Sequence, residues 1–170
     1  METNQEQLTL KSNTIKKVLI ALDYDSNSSQ IAKIGHQLAQ GIGAETVLLH
    51  VVADESNYTA MQYNPMMGMG GFDYNVFVDV IDTAGFLDAG NYYLEHIKEN
   101  LNDESIQILV KIGNASDEIL VNAEAINADL IVVGTHSKRW LEKILIGSVS
   151  ESILKDSKIP VLIIPTKSQN

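Results

Sequence analysis

The chain has 170 residues, 45% of them hydrophobic and 20% charged. That is one domain of ordinary globular make-up, which excludes collagen, coiled coil and wholesale disorder. It has no cysteine, so a disulfide scaffold, a thiolate metal site and a cysteine nucleophile fall away, and its formal charge of −10 argues against nucleic acid and anionic membranes as general partners.

The first residues, Met1 to Glu6, are polar and lack a basic-then-apolar leader pattern, and residues 1–14 are expected as a disordered tail. No apolar stretch approaches the roughly 20 residues that cross a bilayer, so a cytoplasmic address is expected. Lys17–Leu22 is a short apolar run ending at Asp23. Ile31, Ile34, Leu38 and Ile42 then recur at helical spacing, after Ser26-Asn27-Ser28 as a capping cluster and before Gly43 as a stop. Thr46–Val52 is a second apolar run.

Residues 58–76 interrupt the rhythm with Tyr63-Asn64-Pro65-Met66-Met67-Gly68-Met69-Gly70-Gly71-Phe72. Glycine this dense disfavours helix, so a long flexible insertion is expected there. Tyr93, Ile97 and Leu101 mark the next helix, Ile106–Val110 a third apolar run, and Ile119, Ala123 and Ile126 a helix whose start carries Asp117 and Glu118. Leu130–Val133 is the fourth run, Leu145, Val149 and Ile153 the last helix, and Pro160–Ile164 the fifth run. Continuous apolar runs suit strands covered on both faces. The alternation predicts an α/β doubly wound parallel sheet of five strands with helices on both faces, a single domain over 15–166.

The chemistry gathers after the fourth run. A buried strand ends at Gly134, a polar loop carries Lys138, Arg139 and Lys143, and Gly147-Ser148 opens a helix. Free N–H groups at a helix start, glycine and hydroxyls together form a recipe for phosphate. Asp23, just past a strand end, can accept from ribose hydroxyls, and such ligands sit beyond the carboxyl ends of strands. The histidines offer no metal pattern: His36 and His96 are far apart on helices, and no His-x-His or His-Glu-x-x-His pairing occurs. His50 ends a strand as a structural histidine, His136 lies in the polar loop, and Trp140 reads as packing. Neither a Gly-x-Ser-x-Gly elbow nor a Gly-x-x-x-x-Gly-Lys-Ser/Thr loop appears.

Gly134-x-x-Ser137, nine residues, then Gly147-Ser148 resembles the nucleotide signature of the universal stress protein family, glycine-x2-glycine-x9-glycine-serine. Val18–Asp23, Leu48–Val51, Gly113–Ile119 and Ile159–Ile163 extend the likeness over roughly residues 15 to 165. The resemblance implies a Rossmann-like adenine nucleotide binding fold with strand order 3-2-1-4-5. It implies Asp23 at ribose and the backbones of Ala21 and Val51 around adenine. Gly134, Ser137, Gly147, Ser148, Val149 and Ser150 would wrap ribose and phosphates. Lys138 and Arg139 are added as phosphate counter-charges on chemical grounds. Ser137 departs from the family pattern, which has glycine there, and a branch of the family that does not bind ATP replaces glycines of this motif.

The implied ligand is ATP, or AMP or ADP, with magnesium as a companion ion. The implied role is a stress-response regulatory module, not an enzyme, although slow ATP hydrolysis is compatible with it. A homodimer through strand 159–164 and a protein partner of unspecified kind are expected. A dimeric adaptor without nucleotide, and an ATPase or adenylyl-transferring enzyme, are the alternatives.

Overall fold

The computed structural model describes residues 14–53, 83–135 and 147–166. The expected insertion at 58–76 lies outside them, as do all of the expected tail but Thr14 and the Ser137, Lys138 and Arg139 stretch. In chain order the elements are β1 (Lys17–Leu22), α1 (Ser28–Ile42), β2 (Glu45–Ala53), α2 (Thr83–Leu101), β3 (Gln107–Gly113), α3 (Ala115–Ala125), β4 (Leu130–Thr135), α4 (Ser148–Asp156) and β5 (Val161–Pro165). The five strands form one sheet in the order β3-β2-β1-β4-β5, with every pair parallel. Chain order therefore reverses between β1 and β4.

Strand alternation splits the core in two. Val18, Ile20, Leu48 and Val132 bury one face under α1 and α2, together with Ile31, Ala32, Leu94 and Ile97. Leu19, Val47, Leu49, Ile131 and Val133 bury the other under α3 and α4, with Ile119, Ala123 and Ile153. Both faces are apolar, so the strands read as unbroken runs.

The face that α1 turns to the sheet differs from the expected one. Ile31 is buried, but Ile34, Leu38 and Ile42 stay partly exposed, while Ala32, Gly35, His36 and Ala39 go inside. The cause is steric. A Cβ at Gly35 would stand 2.7 Å from Ile20 Cδ1 and 3.3 Å from Val132 Cγ1. Small residues line the seam because the sheet beneath supplies the bulk. Capping differs too: Asn27, at the helix start, makes no side-chain cap bond, and Asp25 Oδ1 instead accepts from Asn27 N (3.2 Å) and Ser26 Oγ (2.9 Å). The helix ends on Gly43 at φ 71°, while Asn102 and Asn127 turn left-handed just past α2 and α3, at φ 53° and 54°. These residue types tolerate that conformation best.

Candidate functional site

The reversal between β1 and β4 opens a cleft of about 440 Å³ above the carboxyl ends of the strands. That volume lies within the range of small-molecule sites. Its floor is apolar: Ala21 from β1, Leu49, Val51 and Ala53 from β2, Val133 from β4 and Ile119 from α3. The three β2 residues alternate along the strand, so they share the α3/α4 face. The rim is polar, with Asp23 and Ser28 after β1 and Gly147, Ser148 and Ser150 at the start of α4.

Eight sequence-predicted residues meet around this cleft: Ala21, Asp23, Val51, Gly134, Gly147, Ser148, Val149 and Ser150. Ser137, Lys138 and Arg139 lie outside the described residues, as do His136, Trp140 and Leu145. The reading missed Leu22, Ser28, Ile31, Leu49, Ala53, Ala115, Ile119 and Val133. Leu49 and Ala53 were within reach, since each stands two residues from Val51 on its own strand.

Asp23 is the sole ionisable group among the described lining residues. Its Oδ1 accepts from Tyr24 N at 2.7 Å, and nothing among the described residues donates to its Oδ2. Facing it, α4 opens at Gly147 (φ −57°, ψ 153°) without a side-chain cap, and its first intrahelical bond runs from Glu151 N to Gly147 O at 2.9 Å. The N–H groups of Ser148, Val149 and Ser150 therefore have no intrahelical acceptor, and the helix dipole adds partial positive charge there. A carboxylate acceptor thus stands across an apolar floor from a cluster of donors.

Two predicted roles take a different physical form. Ser150 is 4% exposed, and its hydroxyl donates to Gly134 O at 3.0 Å, tying α4 to the end of β4. Gly134 has ordinary extended backbone, and the space above its Cα is filled by Ile31, whose Cγ1 would lie 3.1 Å from an added Cβ. The glycine admits a helix side chain.

The described histidines, His36, His50 and His96, stand apart from this cleft. His36 is buried, with Nδ1 2.9 Å from Thr46 Oγ1 and Nε2 3.4 Å from Asp103 Oδ2. Hydrogen bonds from the Ser105 hydroxyl (2.5 Å) and amide (2.9 Å), and then His36 itself, hold the Asp103 carboxyl below its usual range. His50 is buried on the α1/α2 face, and His96 is exposed with Nδ1 3.8 Å from Glu99 Oε2. Among the described residues no three acids or histidines cluster to hold a metal ion, and no helix is long and apolar enough to cross a membrane.

Known proteins share this architecture. A universal stress protein MJ0577 from Methanocaldococcus jannaschii is 30% identical over 158 residues, covering 90% of this chain and 96% of its own. A universal stress protein A homolog 2 from Coxiella burnetii is 32% identical over 153 residues, covering 89% and 96%. The solved MJ0577 structure superposes with a TM-score of 0.62 at 23% identity, covering 92% of this chain and 99% of that one. A universal stress protein in complex with cAMP superposes at 0.56 and 18% identity (89% and 97% covered). One from Archaeoglobus fulgidus in complex with dAMP does so at 0.51 and 15% (89% and 98%). The family model for the universal stress protein family matches residues 14–165. On its strand order and this match over most of its length, the chain belongs to the universal stress protein family.

Proposed function

We propose that the β1/β4 cleft binds an adenine nucleotide (ATP, ADP or AMP) and that the protein is a regulatory module of the stress response. The observation that carries this reading is the cleft's division of labour. An apolar slot at Leu49, Val51, Ala53 and Ile119 suits a base, Asp23 suits a ribose diol, and the uncapped α4 start suits phosphate. The solved relatives in complex with cAMP and dAMP support the ligand class. Ser137, Lys138 and Arg139 follow β4 in sequence and would add phosphate contacts. Mg²⁺ would enter with the nucleotide, held chiefly by its phosphates and water, since Asp23 is assigned to the ribose.

Binding without dedicated catalysis is part of this proposal, and the described lining offers one carboxylate, hydroxyls and backbone donors for it. The proposed module works in the cytoplasm as a homodimer through β5. Ser137 in the position of the second motif glycine sustains a second reading, a dimeric adaptor that binds no nucleotide. Titration calorimetry with ATP and magnesium decides between them. The expected result is a micromolar-range Kd that Gly147→Leu abolishes by filling phosphate space. No heat up to millimolar ATP would establish the adaptor.

A further inference from the structure

The end of β1 is pinned from the α1/α2 side of the sheet, opposite the α3/α4 face that carries the cleft's apolar floor. Two consecutive carbonyls, Leu22 O and Asp23 O, emerge there. Asp23 O receives three donors: Asp25 N at 2.8 Å, Ser28 Oγ, and Tyr93 Oη at 2.7 Å. The first two are local to the β1–α1 turn. The third crosses 70 residues of sequence from α2, which packs on the other face.

Tyr93 is itself held in place. Its ring lies 4.6 Å from that of Tyr24 and 5.4 Å from that of His50, and His50 stands 4.3 Å from Tyr24. His50 is anchored in turn, with Nδ1 2.9 Å from Leu22 O. A carbonyl cannot donate, so Nδ1 carries the proton of that bond. The circuit is closed: β2 holds Leu22 through His50, α2 holds Asp23 through Tyr93, and the three rings pack together between them. Glycine at position 90 lets α2 come this close, because a Cβ there would meet Val110 Cγ1 at 2.6 Å and His50 Cδ2 at 3.4 Å.

We infer that Tyr93 is a positioning residue for the cleft, fixing where Asp23 presents its carboxylate and so coupling recognition of ribose hydroxyls to the docking of α2 on the opposite face. The inference rests on the nucleotide reading above. Asp23 Oδ1 is already engaged by Tyr24 N, which leaves Oδ2 for ligand hydroxyls, and its placement follows the backbone that Tyr93 holds. Burial pushes the Tyr93 phenol above its usual range, against a hydrogen bond with Ser28 and with further upward help from Asp23, Tyr24 and Asp25. It therefore stays protonated, and a donor, throughout the neutral range.

The test is calorimetry with ATP and with 2′,3′-dideoxyATP on the native chain and on Tyr93→Phe, which keeps the ring and removes the donor. The native chain should prefer ATP. Tyr93→Phe should weaken ATP about three- to tenfold, the worth of one net hydrogen bond, and leave dideoxyATP within about twofold. Equal losses for both ligands would mean general loosening and would overturn the inference, as would an unchanged affinity for ATP. A native chain that binds ATP no better than dideoxyATP overturns it too, while nucleotide binding itself stands. A native chain that binds neither overturns the nucleotide reading and this one together.

Discussion

A methyl group added at Gly134 would fall well inside van der Waals contact of Ile31 Cδ1, with Ile31 Cγ1 at 3.1 Å and Thr166 Cγ2 at 3.5 Å. Ile31 is buried and lines the cleft, so it can retreat only into the ligand space or the core. Gly134→Ala should therefore cost about 1–3 kcal/mol of stability, the usual penalty of overpacking. The diagnostic is a double-mutant cycle with Ile31→Ala in denaturant unfolding. The two losses should fall short of additivity by about 1 kcal/mol, because the second substitution removes the clash created by the first. Strict additivity would show that the glycine answers to something other than the helix above it. The same physics separates this residue from Gly43, whose φ of 71° favours glycine although nothing crowds its Cβ position.

Helix starts place the chemistry at the element scale, and α3 shows how. Gly113, at φ 152°, turns the chain off β3, and Asn114 Oδ1 then accepts from Asp117 N at 3.3 Å and Ser116 Oγ at 2.7 Å. Ala115, the first residue of α3, lines the cleft. Asn114→Ala should cost about 1 kcal/mol and lower Tm by about 2–4 °C, the worth of one N-cap in a chain of this size. An unchanged melting curve would show that the cap contributes nothing. The strands were legible in the sequence to within a few residues, because a sheet buried on both faces writes itself as uninterrupted Val, Ile and Leu. Helix α1 was legible as a helix but not in its orientation. Ile34, Leu38 and Ile42 looked like its core face, whereas the tight seam over Ile20 and Val132 selects Ala32, Gly35 and Ala39. In the local half of the cleft, Gly134 and Gly147-Ser148 could be read from spacing, whereas Val149 and Ser150 came only with the family resemblance. The link from Tyr93 to Asp23 could not, since no periodicity relates residues that only a sheet crossing brings together.

At the scale of the whole molecule the sheet has two edges, β3 and β5, and β5 is the one without a charged residue. Val161, Leu162 and Ile163 remain half-exposed although β4 pairs with them. Ile131 N bonds to Pro160 O at 2.9 Å, and backbone groups along a parallel strand alternate in direction. Leu162 and Ile164 therefore point their N–H and C=O groups toward β4, while Val161 and Ile163 point theirs away. Pro165 has no N–H, so the open edge is short and ends there. An edge of this kind invites a second strand, and a second copy added antiparallel about a two-fold axis would satisfy it. A homodimer through β5 is expected, with Val149 and Leu154 of α4, both partly exposed, on the same side of the sheet. Ile163→Pro is the incisive variant, because it deletes an outward N–H that β4 does not use and proline is tolerated at such edges. Sedimentation equilibrium at micromolar concentration should give a dimer for the native chain and a folded monomer for Ile163→Pro. A native monomer, or a dimer indifferent to the proline, would move the interface off this strand.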